Sequence, residues 1–215
     1  MISNKVVIID YESSNLFSVQ QACKFVGLDA VISRKKEDIL NAKGIILPGV
    51  GAFADAMDNL VRLDLIAPIK EVIQANTPFM GICLGMQLLF TESEEFGSTK
   101  GLAVIDGLIK KFPNNALKNH QVKIPQISWN KILKPETKQW IDTPFNDLES
   151  GELMYFVHSY YAEPQNKNDI FSETNYANIT YCSSIQKQNV FATQFHPEKS
   201  ASKGLSIYKN WAKNF

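Results

Sequence analysis

The sequence predicts an α/β fold with a mostly parallel central sheet, flanked by helices and extended by antiparallel strands in the C-terminal half. Through the first half, short apolar runs typical of buried strands alternate with segments whose apolar residues recur at helical spacing. Through the second half, apolar runs succeed one another with few helical segments between them. Strands separated by helices favour parallel pairing, whereas strands that follow one another directly favour antiparallel pairing.

The first half alternates predicted strands with predicted helices. Four apolar runs predict strands over 5–11, 29–33, 44–47 and 79–82. Helical spacing predicts helices over 16–26, 53–60 and 66–74, and a further helix that begins at once after the fourth strand, over 84–90. Asn15 is a candidate N-cap for the first helix, and Gly27 follows its end, as glycine commonly does.

The second half consists mainly of predicted strands. These cover 102–112, 121–127, 153–161, 178–184 and 190–195, and an amphipathic helix over 203–212 follows them. The segment 135–150 is polar and contains two prolines. It therefore predicts an excursion over the surface.

Length and composition indicate a single domain over residues 1–215. The chain has 215 residues, of which 45% are hydrophobic, enough to fill a core. Its 22 basic and 22 acidic residues balance, so neither a nucleic-acid-binding face nor a polybasic membrane patch is indicated. No apolar run approaches the roughly 20 residues of a membrane helix, and we expect a cytoplasmic protein.

The cysteines argue against a metal or disulfide framework. Cys23, Cys83 and Cys182 are odd in number, lie far apart and form no CxxC pair. We therefore expect neither a zinc site nor a redox pair, and a reducing compartment fits best. No metal and no organic cofactor is implied.

A candidate nucleophile lies at the end of the fourth predicted strand. Cys83 stands in Gly-Ile-Cys-Leu-Gly over 81–85, between an apolar strand and a helix, as in a nucleophile elbow. The flanking glycines permit a tight turn that pushes the cysteine outward at a helix N-terminus, where the dipole favours a thiolate. The Leu84 amide points the same way and can help to bind an oxyanion. A glycine-rich turn around a buried cysteine is the alternative interpretation.

A candidate base lies at the end of the last predicted strand. A thiolate needs a base, and the base needs an acceptor that orients it. Among the three histidines, His120, His158 and His196, only His196 is followed by proline and then glutamate. Proline stiffens that turn, so Glu198 can reach back to one imidazole nitrogen while the other faces the cysteine. A lone histidine at a strand end is more often simply a hydrogen-bonded polar residue.

These motifs together resemble the class I (triad) glutamine amidotransferases. The resemblance rests on Gly-Ile-Cys-Leu-Gly-Met-Gln over 81–87 and Gln-Phe-His-Pro-Glu over 194–198. Further segments are similar to the glutaminase subunits of imidazole glycerol phosphate synthase: Ile-Asp-Tyr over 9–11 with Asn15-Leu16, Leu-Pro-Gly-Val-Gly-Ala-Phe over 47–53, Trp129-Asn130, and Tyr-Phe-Val-His-Ser-Tyr over 155–160. The resemblance implies a class I glutamine amidotransferase-like fold.

The resemblance implies a catalytic triad and an oxyanion hole. Cys83 would attack the glutamine carboxamide, His196 would protonate the departing ammonia and then activate water, and Glu198 would orient His196. The oxyanion hole would be formed by the backbone at Gly49, Val50, Gly51 and Leu84. Taken alone, the Pro-Gly-Val-Gly segment is also consistent with a plain strand-to-helix turn.

The resemblance also implies residues that hold glutamine. Gln87 and Glu95 would bind its amino acid end, and the backbone at Ser159 and Tyr160 would contact it. The acidic run 92–95 is alternatively a solvated helix end. We interpret His158 as structural.

By the same resemblance, the partner would be a (β/α)8-barrel cyclase, as in a heterodimer that makes imidazole glycerol phosphate for histidine biosynthesis. Trp129 and Asn130 would lie near it, although a buried tryptophan is commoner. Two segments depart from the usual pattern: 12–14 reads Glu-Ser-Ser where glycines are usual, and 126–128 reads Gln-Ile-Ser where histidine and glycine are usual. The alternatives are an ammonia donor for an amidinating enzyme of surface-sugar biosynthesis, a non-catalytic regulatory subunit and a free-standing hydrolase of γ-glutamyl compounds.

Overall fold

The structure, a computed structural model, describes residues 5–113 and 123–214. Its strands are β1 Val6–Ile9, β2 Ala30–Ser33, β3 Gly44–Leu47, β4 Phe79–Ile82, β5 Phe90–Ser93, β6 Thr99–Lys100, β7 Ile105–Lys111, β8 Gln126–Ile132, β9 Glu152–His158, β10 Tyr160–Pro164, β11 Ile170–Tyr176, β12 Ile179–Lys187 and β13 Val190–Thr193. Its α-helices are α1 Leu16–Phe25, α2 Lys36–Leu40, α3 Phe53–Arg62, α4 Ile66–Gln74, α5 Leu84–Leu88 and α6 Ala201–Trp211. Short 3-10 turns cover Lys167–Asp169, Pro197–Lys199 and Ala212–Asn214.

A large mixed sheet forms the centre of the molecule. Its strands lie in the order β2-β1-β3-β4-β13-β12-β10-β7-β5-β6, and β11 pairs with β12. The strands from β2 to β13 pair in parallel, whereas β12, β10 and β7 continue the sheet through antiparallel pairs. The strands β8 and β9 form a separate antiparallel ribbon. The predicted fold class, mostly parallel with antiparallel strands in the C-terminal half, is confirmed.

Helices cover both faces of the parallel strands, which explains why these strands are continuously apolar. On one face, Val7 and Ile45 pack in a core with residues of α2, α3 and α4. On the other face, Val6 and Ile8 pack with residues of α1 and α6. Neighbouring residues of β1 therefore enter different cores, as the alternation of a strand requires. No helix in the described part of the chain is long and apolar enough to cross a membrane.

Several predicted elements are displaced or divided. The helix predicted over 84–90 ends at Leu88, and the chain re-enters the sheet as β5. The strand predicted over 153–161 is two strands, β9 and β10, separated at Ser159. The strand predicted over 121–127 is displaced to Gln126–Ile132, and residues 121 and 122 lie outside the described residues. The predicted elements include none that corresponds to α2, β6 or β11.

The segment 135–150 is only partly the surface excursion that its polar composition predicts. It forms turns rather than helix or strand. However, Trp140, Phe145 and Leu148 are buried in the core that also contains α1 and α6. The Phe145 ring meets the Phe191 ring of β13 edge-on, with 5.4 Å between the ring centroids. Three apolar side chains thus attach this segment to the core, and the prediction is wrong for them.

Candidate active site

The site lies where the adjacent parallel strands β4 and β13 end. Cys83 follows β4 directly, and its N–H donates to the Thr193 carbonyl of β13 at 2.7 Å. Its backbone is left-handed, with φ 54° and ψ −110°, which is unusual for a residue with a side chain. The turn is tight because α5 approaches β3 closely: a Cβ on Gly85 would lie 1.7 Å from the Leu47 carbonyl oxygen. The elbow predicted from the glycine spacing is therefore present.

The His196 side chain lies between Cys83 and Glu198. Its Nδ1 is 2.8 Å from Glu198 Oε1, and both side chains are buried. The ring also interacts with the Cys83 side chain, which affects its pKa. Burial opposes a charge on this imidazole, but its interactions with Cys83 and Glu198 raise the His196 pKa to about 10. The ring is therefore held as an imidazolium at neutral pH.

The backbone and a hydroxyl group fix this arrangement further. The His196 N–H donates to the Tyr155 carbonyl of β9 at 3.0 Å. Ser200 Oγ donates to the His196 carbonyl at 2.7 Å, and Tyr208 Oη lies 3.5 Å from the second Glu198 oxygen. The sequence motif predicts the triad side chains, whereas these supporting contacts come from elsewhere in the chain.

A cavity opens above Cys83. Seven of the eight residues predicted for the oxyanion hole and for glutamine binding line it: Val50, Gly51, Leu84, Gln87, Glu95, Ser159 and Tyr160. Gly49 lies behind this wall, in contact with Leu84. The predicted residues thus meet at one cavity, although they come from widely separated parts of the chain.

Two glutamine side chains form a short network beneath the cavity. Gln87 Nε2 donates to the Tyr160 carbonyl at 3.0 Å and to Gln194 Oε1 at 2.9 Å. Gln194 Nε2 in turn lies 3.7 Å from Cys83 Sγ. Sequence reasoning did not single out Gln194. Its position two residues before His196, inside the same motif, could have marked it as a site residue.

Glu95 is a cavity residue with a second role. Its Oε2 accepts the Phe53 N–H at 2.6 Å, at the first residue of α3. Burial raises the Glu95 pKa, and the Phe53 hydrogen bond opposes that shift. Glu95 lies in a turn after β5. The interpretation of the run 92–95 as a solvated helix end is therefore wrong.

Two of the backbone amides predicted for the oxyanion hole already have partners. The Leu84 N–H donates to the Gly49 carbonyl at 3.3 Å. The Val50 N–H donates to Ser13 Oγ, also at 3.3 Å. The peptide between Gly49 and Val50 therefore presents its carbonyl to Leu84 and directs its N–H to the loop that contains Ser13.

His158 is a structural histidine in this geometry. Its Nδ1 lies 2.8 Å from the Tyr160 carbonyl, so Nδ1 carries the proton and donates it. Its Nε2 lies 3.2 Å from Tyr181 Oη. Burial lowers the His158 pKa to about 4, so the ring is neutral at pH 7. His120 lies outside the described residues.

The ribbon formed by β8 and β9 borders the cavity and exposes apolar side chains. Trp129 is 48% exposed and Ile127 is 59% exposed. The Trp129 ring meets the Tyr155 ring edge-on, with 6.1 Å between the ring centroids. The interpretation of Trp129 as a buried core residue is therefore wrong.

The two segments that depart from the usual pattern have specific contacts. Glu12 has φ 70° and forms ion pairs with Arg34, at 3.1 Å, and with Arg62. A left-handed backbone at this position is consistent with the usual glycine. Gln126 is fully buried, and its side-chain oxygen bonds Tyr181 Oη at 3.0 Å.

The other two cysteines are inert in comparison. Cys23 and Cys182 are buried, with 0% and 3% exposure. Burial raises the pKa of Cys23 to about 12 and that of Cys182 still higher. Neither lines the cavity, which leaves Cys83 as the cysteine that faces it.

The sequence of this chain is similar to those of known proteins. The family model described as glutamine amidotransferase class-I matches residues 7–214. Imidazole glycerol phosphate synthase subunit HisH of Geobacter metallireducens is 44% identical over 208 residues, which cover 96% of this chain and 97% of the relative. The HisH subunit of Moorella thermoacetica is 41% identical over 206 residues, covering 96% and 93%.

Solved structures share the fold at low sequence identity. A structure of PurLQS from Thermotoga maritima superposes with a TM-score of 0.73 at 17% identity and covers 98% of both chains. A crystal structure described as a glutamine amidotransferase superposes with a TM-score of 0.71 at 14% identity, covering 96% of this chain and 97% of the other.

Proposed function

The chain belongs to the class I glutamine amidotransferases, and from this we propose that it is the glutaminase subunit of an imidazole glycerol phosphate synthase. It hydrolyses glutamine and passes the ammonia to a cyclase partner in histidine biosynthesis. The observation that carries the pathway is the 44% identity to a HisH subunit, which extends over 96% of this chain. If the chain served another pathway, a sequence similar to a HisH subunit over nearly its whole length would have to supply ammonia to a different acceptor.

In the proposed reaction, the Cys83 thiolate adds to the carboxamide carbon of glutamine. The carbonyl electron pair moves to oxygen, and its return expels the amide nitrogen, which takes a proton from His196 and leaves as ammonia. The product is a γ-glutamyl thioester. Neutral His196 then takes a proton from water, whose oxygen adds to the thioester carbon, and glutamate leaves as the thiolate is restored. The imidazolium held between Cys83 and Glu198 supports this sequence.

The cavity walls suit the two ends of the substrate. We assign the α-ammonium of glutamine to Glu95, a carboxylate at the cavity wall. Gln87 lies one helical turn after Cys83, and its amide faces the Tyr160 carbonyl. The backbone at Ser159 and Tyr160 completes the contacts. These assignments follow the family resemblance together with the lining of the cavity.

The oxyanion hole requires a different peptide orientation. In a trans peptide the C=O and N–H point in opposite directions. A half-turn of the peptide between Gly49 and Val50 would remove the carbonyl from the Leu84 N–H and bring the Val50 N–H beside it. Two amides would then face the developing oxyanion. The present orientation is accordingly a resting state, and engagement of the partner promotes the turn.

The acceptor chemistry belongs to the partner. We propose that residues 1–215 form one glutaminase domain and that a (β/α)8-barrel cyclase forms a heterodimer with it. The exposed apolar side chains of Ile127 and Trp129 lie on the ribbon that borders the cavity. A partner seated there would cover both side chains and close the route of ammonia to solvent.

The test uses the complex of this chain with a (β/α)8-barrel cyclase as its partner subunit. The wild-type complex should form imidazole glycerol phosphate from either glutamine or ammonium salts. Cys83→Ser should abolish the glutamine-dependent reaction, by several orders of magnitude, and retain the ammonium-dependent one. Cys182→Ala serves as the matched control, because that thiol does not face the cavity, and should retain both reactions.

Growth provides the pathway test. The two proteins together should restore growth without histidine to an auxotroph that lacks both subunits. Glutaminase activity in vitro without restored growth would contradict the histidine pathway and favour the donor for surface-sugar amidination. Loss of the glutamine-dependent reaction alone in the Cys182 control would instead show that the cysteine assignments are wrong.

A further inference from the structure

The hydroxyl of Tyr11 is buried and unsatisfied beside the oxyanion segment. Tyr11 is 2% exposed, and its Oη has no hydrogen-bond partner among residues 5–113 and 123–214. This oxygen lies directly against Gly49, since a Cβ on that residue would be 1.9 Å from it. Buried hydroxyls nearly always have a partner, so an orphan in contact with a reactive segment calls for an explanation.

Tyr11 is available as a hydrogen-bond donor. Burial raises its pKa, and the nearby Ser13 hydroxyl opposes this shift only in part. The phenol is therefore protonated at neutral pH. A protonated phenol with no acceptor is suited to receive a carbonyl oxygen that moves toward it.

The turn of the peptide between Gly49 and Val50 supplies such a carbonyl. At present the Val50 N–H points to Ser13 Oγ, and the Gly49 carbonyl points to the Leu84 N–H. A half-turn exchanges the two directions, so the Gly49 carbonyl would point to the side of Ser13 and Tyr11. It would lose the Leu84 N–H as its donor and need another.

Of the two hydroxyls on that side, only one is free to donate. Ser13 Oγ lies 3.4 Å from Asn15 Oδ1 and directs its hydrogen there. Within residues 5–113 and 123–214, Tyr11 Oη has no such acceptor. We propose that Tyr11 is a positioning residue for the oxyanion hole, whose hydroxyl donates to the Gly49 carbonyl when the peptide has turned. This inference rests on the proposed glutaminase function and on the turn of that peptide.

The two hydroxyls thus favour opposite orientations. Ser13 stabilises the resting peptide by accepting the Val50 N–H, whereas Tyr11 is unsatisfied in that state and satisfied after the turn. An unsatisfied donor in the resting state brings the two orientations closer in free energy. The partner then needs less differential binding energy to complete the turn.

The test is Tyr11→Phe in the complex with the barrel partner. The variant loses a donor that only the turned peptide uses, so kcat for glutamine hydrolysis should fall about tenfold while KM for glutamine stays unchanged. Alkylation of Cys83 by iodoacetamide requires no oxyanion hole and should keep its wild-type rate. The melting temperature should not fall, because the hydroxyl has no partner in the resting state.

Two variants provide controls. Tyr181→Phe removes a buried hydroxyl that donates to Gln126 Oε1 at 3.0 Å and should lower the melting temperature. Ser14→Ala changes the exposed neighbour in the same loop and should leave kcat, KM and melting temperature unchanged. Tyr181→Phe shows the effect of losing a buried hydroxyl that has a hydrogen-bond partner. Ser14→Ala shows the effect of any change in the loop that contains Tyr11.

Three outcomes would overturn the inference. They are an unchanged kcat in Tyr11→Phe, a parallel fall in the alkylation rate, and a lowered melting temperature of the size seen with Tyr181→Phe. Absence of glutaminase activity in the wild-type complex would overturn the proposed function instead, and this inference with it.

Discussion

His158 and His196 lie near the same cavity but differ in protonation. His158 donates from Nδ1 to a backbone carbonyl and has a tyrosine hydroxyl at Nε2, so burial keeps it neutral. Burial also opposes a charge on His196, but its interactions with Cys83 and Glu198 outweigh burial and raise its pKa. The chemistry of each ring is set by its partners, since both rings are largely removed from water.

The neutral state of His158 predicts a pH-dependent stability. Its pKa is about 4 in the folded protein and 6.5 in the unfolded chain. Between these values only the unfolded state binds the proton, so the free energy of unfolding falls as the pH falls. From pH 7 to pH 5 the loss attributable to this ring should be about 2 kcal/mol.

Urea unfolding of the wild type and of His158→Gln at both pH values checks this expectation. Groups that titrate alike in the two proteins cancel in the comparison, including His196. The wild type should lose more stability on acidification than the variant does. An identical loss in both proteins would show that His158 is not held neutral.

At this scale the sequence predicts the side chains proposed to be reactive but not the contacts that support them. Cys83, His196 and Glu198 belong to short local motifs, and local spacing is enough to recognise them. Gln194 and Ser13 act through contacts with residues 111 and 37 positions away. Such contacts depend on how the strands are ordered in the sheet, which a local pattern does not contain.

The strand-to-helix elbow is set by a close approach between α5 and the end of β3. Gly85→Ala would place a methyl group 1.7 Å from the Leu47 carbonyl oxygen, against rigid backbone on both sides. The elbow would have to open to relieve this clash. We expect the free energy of unfolding to fall by about 3 kcal/mol or more.

Gly97→Ala is the matched control for this substitution. Gly97 has φ +123° but nothing within 4 Å of an added Cβ, so the change imposes backbone strain without a clash. Its cost should be about 1–2 kcal/mol. Denaturant unfolding of both variants measures the difference, and a Gly85→Ala cost no larger than that of Gly97→Ala would exclude the clash as the cause.

Helices and strands were predicted correctly where the sequence pattern fits only one type of secondary structure. The strand Phe79–Ile82 and the helix Ile66–Gln74 match their predicted bounds, because buried parallel strands and amphipathic helices leave distinct patterns. The run 84–90 is apolar except at Gln87, and its burial is equally compatible with a helix followed by a strand. The choice there is made by tertiary pairing: the Phe90 carbonyl accepts the Ala103 N–H.

On the scale of the whole molecule, the resting peptide predicts partner-dependent activity. Both amides proposed for the oxyanion hole are occupied, by Gly49 and Ser13. We expect the isolated chain to release glutamate slowly. Complex formation, with the acceptor bound, should raise kcat by about 10²-fold, since one oxyanion donor is typically worth that much.

Glutamate release by the chain alone and by the complex is the measurement. The Cys83→Ser complex provides the background rate. Equal rates for the chain alone and for the complex would mean that the oxyanion hole forms without help from the partner, and that the observed peptide orientation does not limit the reaction.

The resting orientation of the peptide between Gly49 and Val50 also has a consequence for the relative expression of the two subunits. If chains without a partner are nearly silent, surplus copies of this subunit consume little of the cell's glutamine. The two subunits then need not be produced in equal amounts, because the scarcer one sets the total activity. Unequal expression of the two genes therefore carries little penalty. A cell can vary the amount of either subunit without wasteful hydrolysis of glutamine.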